Sequence, residues 1–440
     1  MTTNAKNNGN PFALIPLLIF IATFLGIGIW LDDFYALPSP IAVLVGIITA
    51  FILFKFPMEE KVSLLIAGCG ESKIITMCLI YLLAGAFAVV SKATGGVDAV
   101  VSLGINNIDV AYFPLGIFLI AAFLSTATGT SVGAIVAIGP IAVSLSERSG
   151  LSLPLISGAL LGGSMLGDNL SMISDTTIAA TQSLGCKLKD KFKINLFIAL
   201  PASLITIMVF FYLGLNSEIV TVAIPTTSFN WITIIPYILV IVLAVSGVNV
   251  FSTLIIGTLF AGFIGFYQNN FSLLEFTQKI YEGFTSMTDI FLLSMLTGGL
   301  AAMVDKAGGI DYVLNQIKKR IKTKKSAQMG IGALVGLTNL AIANNTVSIV
   351  VTGSIAKEIN DEYNLDSRKT ATILDIFSCV IQGILPYGAQ VLLILSFANG
   401  KLTFFDLLNN AWYHLFLLIF TLVAIYANFW DKWFARIFKN

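Results

Sequence analysis

Apolar residues run through this chain in long, nearly unbroken stretches, and each run is closed by charges, Gly-Pro pairs or short polar clusters. A helix that crosses a bilayer needs about 20 mostly apolar residues, because unpaired backbone groups are not tolerated in hydrocarbon. The pattern predicts crossings at 12–31, 37–56, 73–91, 110–125, 151–167, 195–213, 231–246, 250–267, 289–304, 330–343, 369–385 and 412–429. The first follows a polar leader, residues 1–10, with a single lysine. No small-residue cleavage site follows Trp30, so it reads as a retained helix and not a signal peptide.

Composition agrees: 57% of the 440 residues are hydrophobic and 11% are charged, whereas soluble domains carry roughly a quarter charged residues. The mean hydropathy is +0.90. The expected fold class is an all-α polytopic membrane protein. A formal net charge of +1 offers no basic field for nucleic acid. His414 and the cysteines Cys69, Cys78, Cys186 and Cys379 lack the spacing of a zinc, haem or disulfide framework. No cofactor and no enzymatic chemistry are expected.

Lysine and arginine set the expected orientation, since cytoplasmic loops hold the excess of positive charge. Lys187, Lys189, Lys191 and Lys193 mark one inner loop, and Lys318, Lys319, Arg320, Lys322, Lys324 and Lys325 mark another. Lys6 puts the N-terminus inside, and Lys432, Arg436 and Lys439 do the same for the C-terminus. The acidic turn Asp32–Asp33 and the cation-free stretch 216–230 fall outside, with Lys55, Lys61 and Lys73 inside. The amphipathic stretch 61–73 reads as an interfacial helix.

The string from Leu83 to Asp98 returns from Thr297 to Asp311, with Lys92 matching Lys306, Gly95–Gly96 matching Gly308–Gly309, and Asp98 matching Asp311; Thr94 is extra. The copy after Asp311 is heavily basic and the copy after Asp98 has no cation through Asp109, which places equivalent loops on opposite faces. The chain therefore reads as an inverted repeat, the architecture of secondary transporters, whose ion and substrate sites lie where the halves meet. The first repeat is expected over 1–215, an external linker over 216–230 and the second repeat over 231–440.

Two regions interrupt the apolar pattern at matching places. The first holds Thr128, Thr130 and Ser131, then Gly167-Asp168-Asn169, Ser171, Ser174, Asp175, Thr176 and Thr177. The second holds Asn344, Asn345 and Thr346, then Asp375, Ser378, Gln382, Pro386, Tyr387 and Gln390. Irregular backbone at membrane depth survives only where protein buries it or it lines a water-filled cavity. A re-entrant hairpin and a broken helix are expected in each half: hairpins near 126–148 and 343–360, broken helices near 151–184 and 369–400. The helix break is expected at Gly167-Asp168-Asn169, bringing Asp168 and Asp175 to one cavity. Carboxylates there are costly unless compensated. The surrounding hydroxyls and amides suit a hard cation such as sodium, so the first-region residues are candidate ion ligands and the second-region residues a candidate substrate site. Gly158, Gly162, Gly163 and Gly167, like Gly332 and Gly336, have the small-residue spacing of close helix packing.

Thr128-Gly-Thr-Ser131 together with the string Gly167-Asp-Asn-Leu-Ser-Met-Ile-Ser-Asp-Thr-Thr177 closely resembles the signature of the NhaC-type sodium/proton antiporter family, within the larger ion transporter superfamily. The resemblance implies a bacterial inner-membrane secondary transporter, often dimeric, that exchanges Na⁺ for H⁺ at the matching Asp, Ser and Thr positions by alternating access. The second region departs from members that exchange only sodium and protons and looks like a subgroup that also carries organic acids and amino acids. A sodium-coupled carrier of a small amino acid or carboxylate is therefore the alternative, with Asn344, Asn345, Thr346 and Gln390 on the solute. An intramembrane aspartyl protease also needs two membrane carboxylates, but Met165 stands where a G-x-G-D motif requires glycine.

Overall fold

The computed structural model describes residues 9–31, 37–172, 174–217 and 230–427. The start of the leader with Lys6, the turn Asp32–Asp33, most of the 216–230 linker, and Lys432, Arg436 and Lys439 lie outside the described residues. Those that are described form α-helices joined by short turns, with no strand among them.

The first series comprises α1 (Ile15–Leu31), α2 (Ser39–Leu53), α3 (Met58–Cys69), α4 (Ser72–Ala93), α5 (Gly96–Asn107), α6 (Phe113–Thr128), α7 (Ser131–Ser149), α8 (Leu153–Leu170), α9 (Asp175–Leu184) and α10 (Leu188–Leu215). The second comprises α11 (Ile235–Val245), α12 (Val250–Tyr267), α13 (Leu273–Ser286), α14 (Thr288–Lys306), α15 (Gly309–Arg320), α16 (Lys324–Ile342), α17 (Asn345–Glu362), α18 (Ser367–Ile384), α19 (Ala389–Ala398), a short α20 (Phe404–Asn409) and α21 (Trp412–Tyr426). An exposed apolar surface runs along α10, where Leu200, Leu204, Met208 and Tyr212 are exposed on a strongly apolar helix.

The two series match turn for turn. Backbone with positive φ recurs at Gly95 and Gly308, Gly129 and Ala343, Gly150 and Asn364, and Gly185 and Asn399, each pair 213 or 214 positions apart. Packing follows the same exchange: α3 lies on α14 and α13 on α4, α19 on α7 and α9 on α17, α10 on α18 and α21 on α8. The equivalent helices α4 and α14 run antiparallel, since Ile74 packs at Gly298 while the Cys78 thiol reaches the Phe291 carbonyl at 3.6 Å.

Among the described residues, seven helices are long and apolar enough to cross a membrane: Ser72–Ala93, Val110–Thr128, Ser131–Ser149, Leu188–Leu215, Val250–Tyr267, Thr288–Lys306 and the broken Ser367–Ala398. Four shorter apolar helices accompany them. The expected crossings at 151–167 and 330–343 correspond to α8 and α16, which fall outside that set. Nearly every side chain of α8 is buried, including Asp168 and Asn169, so glycine and polar groups replace the lipid-facing leucines of a free span. The segments 126–148 and 343–360 each contain a tight turn and one helix. The other arm of each hairpin is the preceding helix, so the pairs are α6 with α7 and α16 with α17. Residues 61–73 do not form one interfacial helix either. The chain turns at Gly70–Glu71, and Lys61 is buried with its ammonium on the Phe51 carbonyl at 2.8 Å.

Candidate functional site

The two hairpin turns line one cavity. At the first, Gly129 takes φ +71°, a left-handed conformation open to glycine, and Thr130 caps α7 by accepting from the Gly133 amide at 3.3 Å. At the second, Ala343 takes φ +55° and Asn344 caps α17 by accepting from the Val347 amide at 3.0 Å. Each cap leaves the next side chain, Ser131 or Asn345, at the N-terminus of a helix where backbone N–H groups and the helix dipole meet.

Beside the first turn, α8 is drawn onto α6 by glycine. A Cβ on Gly163 would fall 2.2 Å from the Phe118 carbonyl oxygen, and one on Gly167 would fall 2.4 Å from that of Ala122. This approach brings Asp168 to the turn. Its Oδ2 accepts from the Ser131 hydroxyl at 2.7 Å and its Oδ1 from the Ser174 hydroxyl at 2.5 Å. Ser174 in turn lies 2.9 Å from the Thr176 hydroxyl. Asp168 is 5% exposed. The break falls at 171–174, between α8 and α9, and not at Gly167-Asp168-Asn169, which stays helical because α6 supports it along its length.

The second half supplies amides where the first supplies a carboxylate and hydroxyls. The Gln382 side chain donates to the Ala343 carbonyl at 3.3 Å and to Gln390 Oε1 at 3.1 Å, and Gln390 Nε2 donates to Ser131 Oγ at 2.9 Å. A continuous relay therefore runs Gln382, Gln390, Ser131, Asp168 across the junction. Gln382 Oε1 is buried without a partner in the protein. Thr130 and Asn344, Ser131 and Asn345, Asp168 and Gln382, and Thr176 and Gln390 all stand 214 positions apart.

A cavity of about 220 Å³ opens onto this junction. From the candidates of the first region it collects Thr130, Ser131, Asp168, Ser174, Asp175 and Thr176, and from those of the second Asn344, Asn345, Thr346, Gln382 and Gln390. Asp175 is exposed on its wall, in the first turn of α9. The remaining candidates are not cavity-lining. Thr128 turns to the Ser125 and Thr130 carbonyls, Ser171 to the Thr126 carbonyl at 2.8 Å, and Tyr387 to the Leu340 carbonyl at 2.5 Å. Asn169, Thr177, Asp375 and Ser378 lie behind the cavity, where Ser378 bonds the Asp375 carbonyl at 2.9 Å.

Several residues were not legible as site residues. Lys73, Thr76 and Met77 of α4 and Val250 of α12 complete the cavity wall. Lys191, expected as a loop charge, is 1% exposed and ion-paired with Asp375. It sits one turn inside α10, on the face that also carries Asn195, whose amide donates to the Asn169 carbonyl at 2.5 Å. The i, i+4 spacing of Lys191 and Asn195, following exposed Lys187 and Lys189, was the available signal.

A buried carboxylate met by hydroxyls, with amides and the exposed Asp175 on the same cavity wall, is a donor set for a hard monovalent cation. The family model described as the Na⁺/H⁺ antiporter family matches residues 12–215 and again 214–430. The chain belongs to this family. It is 24% identical over 408 residues to the malate-2H⁺/Na⁺-lactate antiporter of Bacillus subtilis (strain 168), covering 85% of this chain and 86% of that protein. It is 23% identical over 377 residues to the Na⁺/H⁺ antiporter NhaC of the same organism, covering 78% and 82%. The arginine/ornithine antiporter ArcD of Halobacterium salinarum is also similar, at 23% over 412 residues and 86% and 84% coverage. Membership makes the chain a multi-pass membrane antiporter homologue. The two matches to one model also divide it where the helix series divides.

Proposed function

We propose that this protein exchanges Na⁺ for H⁺ across a bacterial inner membrane, with Asp168 as the group that both ions share. The observation that carries the reading is a buried carboxylate with both oxygens met by hydroxyls, at the floor of a cavity where the two hairpin turns meet. A carboxylate so enclosed must be neutralised. A proton does so by binding an oxygen, and a sodium ion does so by taking Asp168, Ser131 and Ser174 as ligands. One oxygen pair does not hold both, so each ion displaces the other, and alternate exposure of the site turns that competition into exchange.

The two helix series are read as inverted repeats, supported by the antiparallel run of α4 and α14 and by the paired positive-φ positions. The ends of the molecule differ accordingly. The cavity is open beside Lys73 and Thr76, at the start of α4. At the start of α14, Ser396 of α19 instead donates to the Ser286 carbonyl at 3.4 Å and touches the Met287 sulfur. A separate vestibule of about 400 Å³ at that end stops at Leu392 and contains neither Asp168 nor Gln382. Transport then consists of closing the α4–α9 end while opening the α14–α19 end. With the basic loops inside, the open end and both termini face the cytoplasm.

A second reading has one observation in its favour. Lys73 places a cation on the cavity wall that Asn344, Asn345 and Thr346 also line, a combination suited to an organic carboxylate. In that reading the solute's carboxylate meets Lys73 and the amides while Na⁺ or H⁺ occupies Asp168.

The test is transport in proteoliposomes. An imposed Na⁺ gradient should move protons in the wild type and not in Asp168→Asn. Proton movement that persists in Asp168→Asn removes the proposal, and proton movement that requires an added dicarboxylate or hydroxyacid selects the second reading.

A further inference from the structure

Behind the cavity lies a second carboxylate that the exchange scheme leaves unused. Asp375 is fully buried in α18. Its Oδ2 is paired with the Lys191 ammonium and lies 3.5 Å from the Asn169 amide, and its Oδ1 takes the Cys379 thiol at 3.6 Å. The same ammonium donates to the Thr177 hydroxyl at 2.9 Å. A carboxylate from α18 and a hydroxyl from α9 thus converge on one positive centre that Lys191 brings from α10, much as Ser131, Ser174 and Asp168 converge in the cavity.

We propose that this is a second monovalent-cation cage whose occupant is the chain's own Lys191 ammonium. A side-chain ammonium cannot leave, so the tethered charge fills the Asp375 cage permanently and confines exchangeable cation binding to Asp168. It also makes Lys191 a positioning residue for the helix break. On α8, Asn169, the residue after Asp168, donates to Asp375 of α18, and Thr177, two residues into α9 from Asp175, is held by Lys191, so both banks of the 171–174 break are fixed to one ion pair. Removing one partner of a buried pair leaves the other uncompensated, a far larger penalty than removing both. A small free cation should therefore replace the ammonium when the lysine stem is cut away.

The experiment uses full-length protein in detergent, with thermal unfolding of Lys191→Ala followed during titration with methylammonium chloride, and with choline chloride as an oversized control. Lys191→Ala should unfold several degrees below wild type and recover most of the loss, saturably, with methylammonium but not choline. Wild type should show no comparable response. The rescue should persist on an Asp168→Asn background, which separates it from binding in the cavity and from failure of the exchange reading. Lys191→Ala/Asp375→Asn should be more stable than Lys191→Ala and indifferent to methylammonium. If Lys191→Ala yields no folded protein, recovery of folded protein in the double variant supports the cage, and failure of the double variant overturns it. A Lys191→Ala protein that matches wild type, or that ignores methylammonium, or whose rescue survives Asp375→Asn, overturns it as well.

Discussion

At one hairpin turn Thr130 caps α7, Ser131 donates to Asp168 and a formal negative charge sits at the cavity floor; at the other, Asn344 caps α17, Asn345 follows, and the position equivalent to Asp168 is Gln382. Both turns use the same backbone device, a residue with φ between 55° and 71° followed by an extended capping residue. The comparison separates two things that a duplicated fold supplies. Backbone geometry is kept in both halves and gives two cradles with helix N-termini aimed at one cavity. The cavity's carboxylates come from the first half only, and of them Asp168 alone is buried, so it is the proposed coupling group, while the amides of the other half hold the relay to Ser131 and leave Gln382 Oε1 free for a ligand.

The comparison breaks most sharply if the charge is removed. Asp168→Asn should lower Na⁺-driven proton movement by at least ~10-fold in proteoliposomes, while Gln382→Asn, which shortens the side chain at the equivalent position and leaves the charge unchanged, should cost less than that. The packing that delivers Asp168 comes next. Gly167→Leu drives a side chain into the Ala122 carbonyl and should destabilise by about 3 kcal/mol or more, read as a lowered melting temperature in detergent. At the two ends of the molecule, cysteines at Ser286 and Ser396 should crosslink in the conformation described, whereas cysteines at the equivalent Ser72 and Gln182 should crosslink only in the alternate one. In a background lacking Cys69, Cys78, Cys186 and Cys379, each crosslink should stop transport until reduced. Equal crosslinking of both pairs in one fixed conformation would contradict the two-ended scheme. The smallest effects lie in the turns themselves: Gly129→Ala should cost about 1 kcal/mol, and Ala343→Gly should be neutral or stabilising by up to about 1 kcal/mol, because only the second position already carries a Cβ in left-handed backbone.

Much of this is legible in the sequence. The apolar runs predict helices because hydrocarbon demands internally satisfied backbone, and the repeated Gly-Gly turn before Asp98 and Asp311 marks the two αL caps at Gly95 and Gly308. The hydroxyl- and amide-rich clusters predict the cavity because polar groups at depth need one another or water. What composition cannot convey is direction. Asp375 and Thr177 have the same chemistry as Asp168 and Thr176 but meet Lys191 instead of lining the cavity. Lys191 reads as a loop charge because exposed Lys187 and Lys189 and half-buried Lys193 surround it at a helix start, and its burial depends on α18 lying across α10, a tertiary contact. The first hairpin's arms differ from the expected bounds for a related reason: the Ser125 and Thr126 hydroxyls bond the Ser164 and Ala122 carbonyls and leave α6 helical to Thr128.

The central claim is that one buried carboxylate holds either a proton or a sodium ion. Equilibrium binding of ²²Na⁺ to the purified protein, measured across pH, tests it most directly. The account predicts one Na⁺ per chain, displaced as pH falls and absent in Asp168→Asn. Sodium binding that is unchanged by pH, or that survives intact in Asp168→Asn, would contradict it.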